Sequence, residues 1–157
     1  MANCVIRKAK ADDIQILQDI ARRTIDARCR SFIGDGKVDW YISSGECDEG
    51  VAKSIDKCAV LVKASVIVGY CVYFDDLVHT MMVDVKHHRS GYGSRLLSYA
   101  EQALHSAGHE TIRLTTYEGN DQAINFYIKN GWRISGKEQK PDTGFKHVLF
   151  EKDNVTA

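Results

Sequence analysis

The spacing of apolar residues divides the first third of the chain into one strand and two helices. A strand at residues 5–8 precedes an amphipathic helix from Ala11 onward, because apolar side chains there recur every three or four positions. Gly34 and Gly36 interrupt this pattern, and a weaker helical stretch follows and ends near residue 57.

The middle of the chain is rich in β-branched residues and predicts three consecutive strands. Residues 59–63 and 66–74 flank Ala64 and Ser65, so the first two strands are expected to form an antiparallel hairpin with a tight turn. A third apolar run at 78–86 completes this group of strands.

Helical and strand patterns then alternate to the end of the chain. A helix with one apolar face is followed by a strand at 112–117, and Asp121 is predicted to cap a further short helix. Two final strands are expected near 132–135 and 145–151. The order β-α-α-β-β-β-α-β-α-β-β predicts a mixed α/β fold in which helices pack on one central sheet.

Length and charge limit the classes of partner. The 157 residues suit one domain over residues 1–157, and no repeat or low-complexity linker divides them. Lys and Arg total 21, as do Asp and Glu, so no overall field attracts nucleic acid or an anionic membrane. The apolar runs are shorter than the ~18–20 residues of a bilayer span, and no signal-peptide pattern begins the sequence. A cytoplasmic protein without a nucleic-acid or membrane partner is expected.

Cysteine and histidine spacing gives no sign of a metal site. The five cysteines follow none of the spacings of zinc or iron–sulfur ligands, and they are interpreted as reduced thiols. The two closely spaced histidine pairs have no third ligand in sight. The sequence therefore predicts neither a bound metal nor a disulfide.

The segment at residues 83–94 carries the strongest chemical signal. It places a strand end, a cationic turn with Gly91 and Gly93, and a helix start in immediate succession. Glycines let the backbone approach an anion, and the N–H groups and dipole of a helix N-terminus attract it. The segment predicts a phosphate cradle, with a charged surface turn as the alternative. A Rossmann dinucleotide loop is disfavoured because its third glycine is missing.

A second segment, residues 120–132, has the form N-x-x-A-x-x-F-Y-x-x-x-G-W. By itself it predicts a short capped helix whose aromatic pair, Phe126 and Tyr127, packs in the core. Following a strand, a phosphate turn, a helix and a strand, it resembles the matching motif of the GNAT superfamily of acetyl-CoA-dependent N-acetyltransferases. The turn itself is similar to the family's R/Q-x-x-G-x-G/A motif. The two motifs cover about fifty residues, and the strand order is similar over nearly the whole chain.

The resemblance implies a mostly antiparallel central sheet of six to seven strands with about four flanking helices, splayed between its two central strands. Acetyl-CoA is the implied cosubstrate, with its pantetheine arm paired to the backbone around Val83 and Val85. Asn120 and Tyr127 are also implied to contact it. The turn residues that the resemblance assigns to the pyrophosphate are His88, Arg89, Ser90, Gly91, Tyr92, Gly93 and Ser94. His88 and Arg89 depart from the family pattern, which has Arg or Gln followed by Gly, so the cationic side chain is shifted by one residue.

The resemblance further implies catalytic roles for two side chains in direct attack of an amine on the thioester. Tyr127 is protonated at neutral pH and is expected to donate a proton to the leaving sulfur. His79 is expected to take the amine proton through water, and strand alternation places it on the face of Met81 and Val83. A structural histidine bonded to a backbone carbonyl is the alternative.

The base and the acceptor pocket are less constrained by motifs. Asp84 and Glu118 are further candidates for the base, although each also suits a solvated or capping role. The glycine break between the first two predicted helices is surrounded by Arg30, Phe32, Asp39, Trp40 and Tyr41. This mixture of aromatic and acidic residues predicts a pocket for a cation-bearing amine. Packing of the helix junction is the alternative for these residues.

The leading hypothesis is acetyl transfer from acetyl-CoA to a primary amine of a small molecule or peptide. A non-catalytic acyl-CoA-binding or sensor module is the alternative from a different class, and a phosphate-binding regulatory domain unrelated to CoA is a third. Tyr127 favours the enzyme because binding alone needs no phenol. The sequence identifies neither the amine nor the acyl-chain limit, and a homodimer is possible by analogy with relatives.

Overall fold

The strands of the computed structural model form one sheet in the order β1-β2-β3-β4-β5-β7-β6, and the structure describes residues 4–88 and 90–154. Neighbouring strands are antiparallel except β4 and β5, which are parallel. The strands are β1 Cys4–Lys8, β2 Cys58–Lys63, β3 Val66–Phe74, β4 Leu77–Val83, β5 Thr111–Tyr117, β6 Arg133–Gln139 and β7 Lys146–Asp153. The predicted mixed α/β fold with a mostly antiparallel sheet is confirmed.

Six α-helices flank the sheet in the described part of the chain, where the apolar pattern predicted four. The difference lies before β2, where Cys29 separates the first predicted helix into two and Gly45, with a left-handed φ of +87°, separates the second into two. The helices are α1 Ile14–Arg28, α2 Arg30–Ile33, α3 Asp35–Ser43, α4 Glu46–Lys53, α5 Tyr92–Ser106 and α6 Asp121–Lys129. None of these helices has the length and apolar character that a membrane span needs.

Two apolar clusters lie on opposite faces of the sheet. Alternation along β2 sends Ala59 and Leu61 to one cluster and Cys58 and Val60 to the other. The first cluster packs α5 and α6 on what we call the α5 face, and the second packs α1 and α4 on the α1 face. Each fully buried leucine or valine contributes about 1.5–3 kcal/mol. The clusters therefore fix helices on both sides of the central strands.

The parallel strands β4 and β5 separate after a single contact. Leu77 and Arg113 form the one register pair between them in the described residues. The Arg113 N–H donates to the Asp76 carbonyl at 2.7 Å, and the two side chains form an ion pair at 2.8 Å. Because both strands run in the same direction from this point, the gap widens toward Val83 and Tyr117. The predicted splay between the two central strands is confirmed.

The strand β4 ends at Val83, three residues earlier than its apolar pattern predicted. The buried carboxylate of Asp84 forms a bidentate ion pair with Arg23 of α1. The Val85 N–H donates to Thr24 Oγ1 at 3.1 Å, and residues 85–87 form a 3₁₀ turn. These contacts to α1 turn the chain out of the sheet, so Val85 is not a strand residue.

Candidate active site

A cleft of about 750 Å³ follows the gap between β4 and β5. Tyr127 of α6 lines it and belongs to the cluster on the α5 face, whereas Tyr70 of β3 lines it and belongs to the α1 face. Thr80 of β4 and Thr116 of β5, from the two strands beside the gap, also line it. The cleft therefore connects the two faces of the sheet through the splay.

The turn before α5 presents open main-chain N–H groups. Gly91 is the N-cap of α5 and has a φ of +77°, a left-handed conformation that favours glycine. Residues 92–94 form the first helical turn, whose N–H groups have no partner within the helix, and no side chain of the described residues caps them. Ser90 is exposed beside them, and Arg89 lies outside the described residues. Such a turn favours an anion.

His88 is held at the end of β4, where its Nε2 donates to the Val83 carbonyl at 2.7 Å. The Asp84 N–H donates to the Val68 carbonyl of β3, so alternation directs the Val83 N–H away from β3 and toward the gap. The Val85 N–H is already bonded to α1. Of the two residues predicted to pair with pantetheine, Val83 offers an N–H to the gap and Val85 does not.

Asn120 is the N-cap of α6, the position that the sequence pattern gave to Asp121. Its Oδ1 accepts the Ala123 N–H at 3.4 Å, and its Nδ2 donates to Thr116 Oγ1 at 3.2 Å. Asn120 also lines the cleft. The side chain therefore fixes the start of α6, the helix that carries Tyr127, against β5.

Tyr127 reaches the cleft from α6 while only 9% of its surface is exposed. Its ring centroid lies 5.3 Å from that of Phe126, 6.3 Å from that of Trp132 and 5.6 Å from that of Phe150. Burial raises the pKa of Tyr127 above its ordinary value, so the hydroxyl is protonated throughout the neutral range. The residue combines core packing with a proton donor at the cleft.

His79 is the extra residue of a β-bulge in β4. The pairing with β3 passes from Thr80 to Val78 and skips His79. The bulge turns the imidazole to the α1 face, where its centroid is 5.5 Å from that of Phe74, whereas Met81 packs on the α5 face. The prediction that His79 shares a strand face with Met81 is therefore wrong.

Of the three candidates for a base, His79 is the one that lines the cleft. Burial lowers the pKa of His79, which favours the neutral imidazole that can accept a proton. The hydrogen bonds from Arg23 hold the pKa of Asp84 below its usual range. Because this carboxylate already accepts these hydrogen bonds, it is a poor proton acceptor for the amine. Glu118 is exposed and lies 3.4 Å from Lys137.

The sequence was compared with known proteins. Residues 23–132 match the Acetyltransferase (GNAT) family, which is well over half of the chain. The chain belongs to the acetyltransferase (GNAT) family. This membership agrees with the two motifs and with the splayed sheet.

Relatives of this GNAT chain include a curated protein and several solved structures. The uncharacterized protein YxbD of Bacillus subtilis is 32% identical over 103 residues, which are 63% of this chain and 62% of that protein. The chain thus matches less than two thirds of the length of that relative. A PaiA N-acetyltransferase from Thermoplasma acidophilum, solved with coenzyme A, has 18% identity, a TM-score of 0.79 and coverage of 96% and 99% of the two chains. A GCN5-related N-acetyltransferase from Rhodopseudomonas palustris has 13% identity, a TM-score of 0.84 and 98% coverage of each chain.

In this GNAT chain, α2 and α3 wall the α1-face end of the cleft. The lining includes Phe32 of α2 and both Trp40 and Tyr41 of α3. These are the three aromatic residues that the sequence predicted to contact the acceptor. Trp40 is 57% exposed and Tyr41 37% exposed, so both rings stand at the rim rather than in the core. Large exposed aromatic side chains beside a cleft are available to a ligand.

Three aromatic residues of the cleft lining, Tyr117, Phe145 and His147, were not predicted from the sequence. Tyr117 of β5 and His147 of β7 are register partners whose ring centroids are 4.7 Å apart. The ring centroid of Phe145 lies 5.4 Å from that of Tyr117, and the centroid of Phe32 lies 5.9 Å from it. This aromatic row depends on the pairing of β5 with β7, and the alternation of β5 at Tyr117 is the one sequence signal for it.

Proposed function

We propose that this chain is an N-acetyltransferase that transfers the acetyl group of acetyl-CoA to a primary amine by direct attack in a ternary complex. The observation that supports this most strongly is the cleft through the β4–β5 gap. One space there adjoins the phenol of Tyr127 on one face of the sheet and the aromatic row on the other. A thioester and an amine entering from opposite faces meet inside it.

The cofactor is held mainly by backbone groups. The N–H groups of residues 91–94 bind the pyrophosphate, and the pantetheine arm runs into the gap beside the Val83 N–H. The coenzyme A in the Thermoplasma acidophilum relative supports a CoA ligand for a fold of this kind. Because main-chain groups make these contacts, the replacement of the usual Arg or Gln by His88 leaves the cradle in place.

The reaction needs a neutral amine, a site for the oxyanion and a proton for the thiolate. A free alkylamine has a pKa of about 10, so a base has to remove its proton near neutral pH. His79 takes that proton through water, and the amine nitrogen attacks the thioester carbonyl carbon. The Val83 N–H stabilises the oxyanion. The carbon–sulfur bond then breaks, and Tyr127 protonates the sulfur. The former amine nitrogen releases a second proton, which restores the Tyr127 phenol, so the products are the amide, free CoA and the proton held by His79.

Amine-dependent release of free thiol from acetyl-CoA tests this function. The purified chain is mixed with acetyl-CoA and a panel of primary amines, and CoA thiol and acetylated amine are measured together. Equal amounts of the two products are expected. Binding of acetyl-CoA by calorimetry without any amine-dependent thiol would instead indicate a non-catalytic acyl-CoA sensor.

A further inference from the structure

The aromatic row forms one continuous wall on the α1-face side of the cleft. Phe32, Tyr117, Phe145 and His147 line the cleft, and the successive centroid distances from Tyr117 are 4.7–5.9 Å. The rings of Phe32 and His147 are tilted by 35° and 38° to that of Tyr117, and Phe145 meets it edge-on at 86°. The wall offers ring faces and a ring edge for contact with another ring. The wall therefore suits an acceptor with a planar aromatic body.

The charged side chains of the cleft lining are lysines. Lys37 and Lys53 line the cleft, and none of the lining residues that the structure describes is Asp or Glu. Lys53 is paired with Glu49 at 3.2 Å on the surface of α4. Lys37 is exposed on α3 four residues before Tyr41, so its ammonium lies on the same helix face as that ring.

The carboxylates of Asp39 and Glu46 lie outside the cleft lining. Asp39, which the sequence analysis counted toward an acidic pocket, pairs with Arg30 at 2.8 Å outside the cleft. Glu46 raises the pKa of Tyr41 through its charge, secondary to burial, and it is exposed outside the lining. A polycationic amine would meet Lys37 without a carboxylate of the lining to offset the repulsion.

We propose that the acceptor is a small molecule in which a primary amine and an acidic group lie at opposite ends of an aromatic ring. This inference rests on the proposed acetyl transfer. The amine enters the β4–β5 gap, the ring packs on the wall of Phe32, Tyr117 and His147, and the acidic group pairs with Lys37 at the rim. The same arrangement disfavours polyamines and lysine-rich peptides.

Three probes separate these features. 4-(2-Aminoethyl)benzoate has the amine, the ring and the acid, and 4-(2-aminoethyl)benzamide differs from it by one charge far from the amine. Spermidine supplies a polycation without a ring. We expect kcat/KM to decrease in the order benzoate, benzamide, spermidine. The benzoate preference over the benzamide is expected to be up to about five-fold, the size of one exposed ion pair.

Two charge-reversal variants assign this preference to Lys37. In Lys37→Glu the benzoate-to-benzamide ratio of kcat/KM should fall below one. Lys129→Glu, which makes the same charge change at an exposed position of α6 outside the cleft lining, should keep the wild-type ratio. The ratio cancels any general loss of folded protein, because both substrates are turned over by the same preparation.

The failures of the two proposals differ. Higher kcat/KM for spermidine than for the benzoate, or equal ratios in Lys37→Glu and Lys129→Glu, would overturn the acceptor assignment while acetyl transfer stands. Turnover of other amines of the panel but of none of these three would likewise overturn the acceptor assignment alone. Binding of acetyl-CoA without thiol release for any amine of the panel would contradict the proposed function, and the acceptor assignment with it.

Discussion

Gly93 at the start of α5 lies directly against the ring of Phe126 in α6. A β-carbon at residue 93 would stand 3.2 Å from Phe126 Cζ and 3.7 Å from Val83 Cγ2. The contact joins the turn before α5, the end of β4 and the helix that carries Tyr127. It gives a packing reason for the second glycine of the turn, whereas Gly91 is required by its left-handed backbone.

Gly93→Ala should therefore displace the Phe126 ring and the N-terminus of α5. We expect a loss of about 1–3 kcal/mol in the free energy of unfolding, as for other overpacked sites, and weaker binding of acetyl-CoA by calorimetry. The double variant Gly93→Ala/Phe126→Leu should recover much of both. Gly91→Ala is the control, since its strain comes from φ and Phe126→Leu should not relieve it. If Phe126→Leu rescued Gly91→Ala as well as it rescues Gly93→Ala, the packing of Gly93 against Phe126 would not be the cause of the loss.

The Arg23–Asp84 ion pair should contribute far more to stability than its neighbours on the surface. Asp84 is 2% exposed, and Arg23→Ala leaves this carboxylate without its partner. Unfolding by urea at pH 7 should show a loss of about 3 kcal/mol, near the lower end for a broken buried pair because the guanidinium is partly exposed. Arg22→Ala, which removes exposed pairs, should cost less than about 1 kcal/mol.

The pH dependence of this loss follows from the lowered pKa of Asp84. A carboxylate with a folded-state pKa below its ordinary value of 3.8 stabilises the fold above that value and loses this effect as pH falls through the lower one. The difference between wild type and Arg23→Ala should therefore shrink on acidification from pH 7 to about 3. A difference that stays constant over this range would mean that Asp84 is not the group responsible.

His79 should give the activity a second ionisation on the acid side. The amine alone gives log kcat/KM a slope of about one below its pKa, and a base adds a further slope of about one below its own. Since burial lowers the pKa of His79 from 6.5, the steeper region should begin below pH 6.5. His79→Gln should lower kcat and remove this region, whereas His109→Gln, outside the cleft lining, should keep it. A profile that keeps its steep region in His79→Gln would assign the base to another group.

Arg30 fixes α3, which carries Trp40 and Tyr41, at the acceptor end of the cleft. Its guanidinium pairs with Asp26 of α1 and with Asp35 and Asp39 of α3, so it ties the helix of Trp40 to α1. Arg30→Ala should raise KM for the amine several-fold and leave KM for acetyl-CoA close to wild type. Arg133→Ala, which removes two surface ion pairs of β6, should change neither. A parallel rise in both constants for Arg30→Ala would indicate general loosening of the fold.

The fold was predictable where local chemistry decides it. The predicted tight turn at Ala64-Ser65 is present, with left-handed φ of 49° and 69°, and Gly131 ends α6 with φ of +90°. The turn that leads into α5 and the position of Tyr127 on a capped helix were likewise predictable, because short-range spacing determines them.

The remaining features depend on contacts between distant segments. One inserted residue in β4 reverses the face of His79, and no property of the strand sequence marks that bulge. Val85 leaves the sheet because Thr24, sixty-one residues earlier, binds its N–H. The pairing of Tyr117 with His147 requires the register of β5 with β7. The apolar periodicity of a single segment therefore cannot predict the bulge, the Val85 contact or the β5–β7 register.

The most direct test of the central claim compares CoA release by wild type and Tyr127→Phe at saturating acetyl-CoA and amine, with acetyl-CoA affinity measured calorimetrically in both. Loss of a proton donor to the leaving sulfur predicts a fall in kcat of about 10²–10⁴-fold with an unchanged affinity. Tyr99→Phe, which removes a hydroxyl from α5 outside the cleft lining, should retain wild-type kcat. Wild-type turnover in Tyr127→Phe would contradict the account.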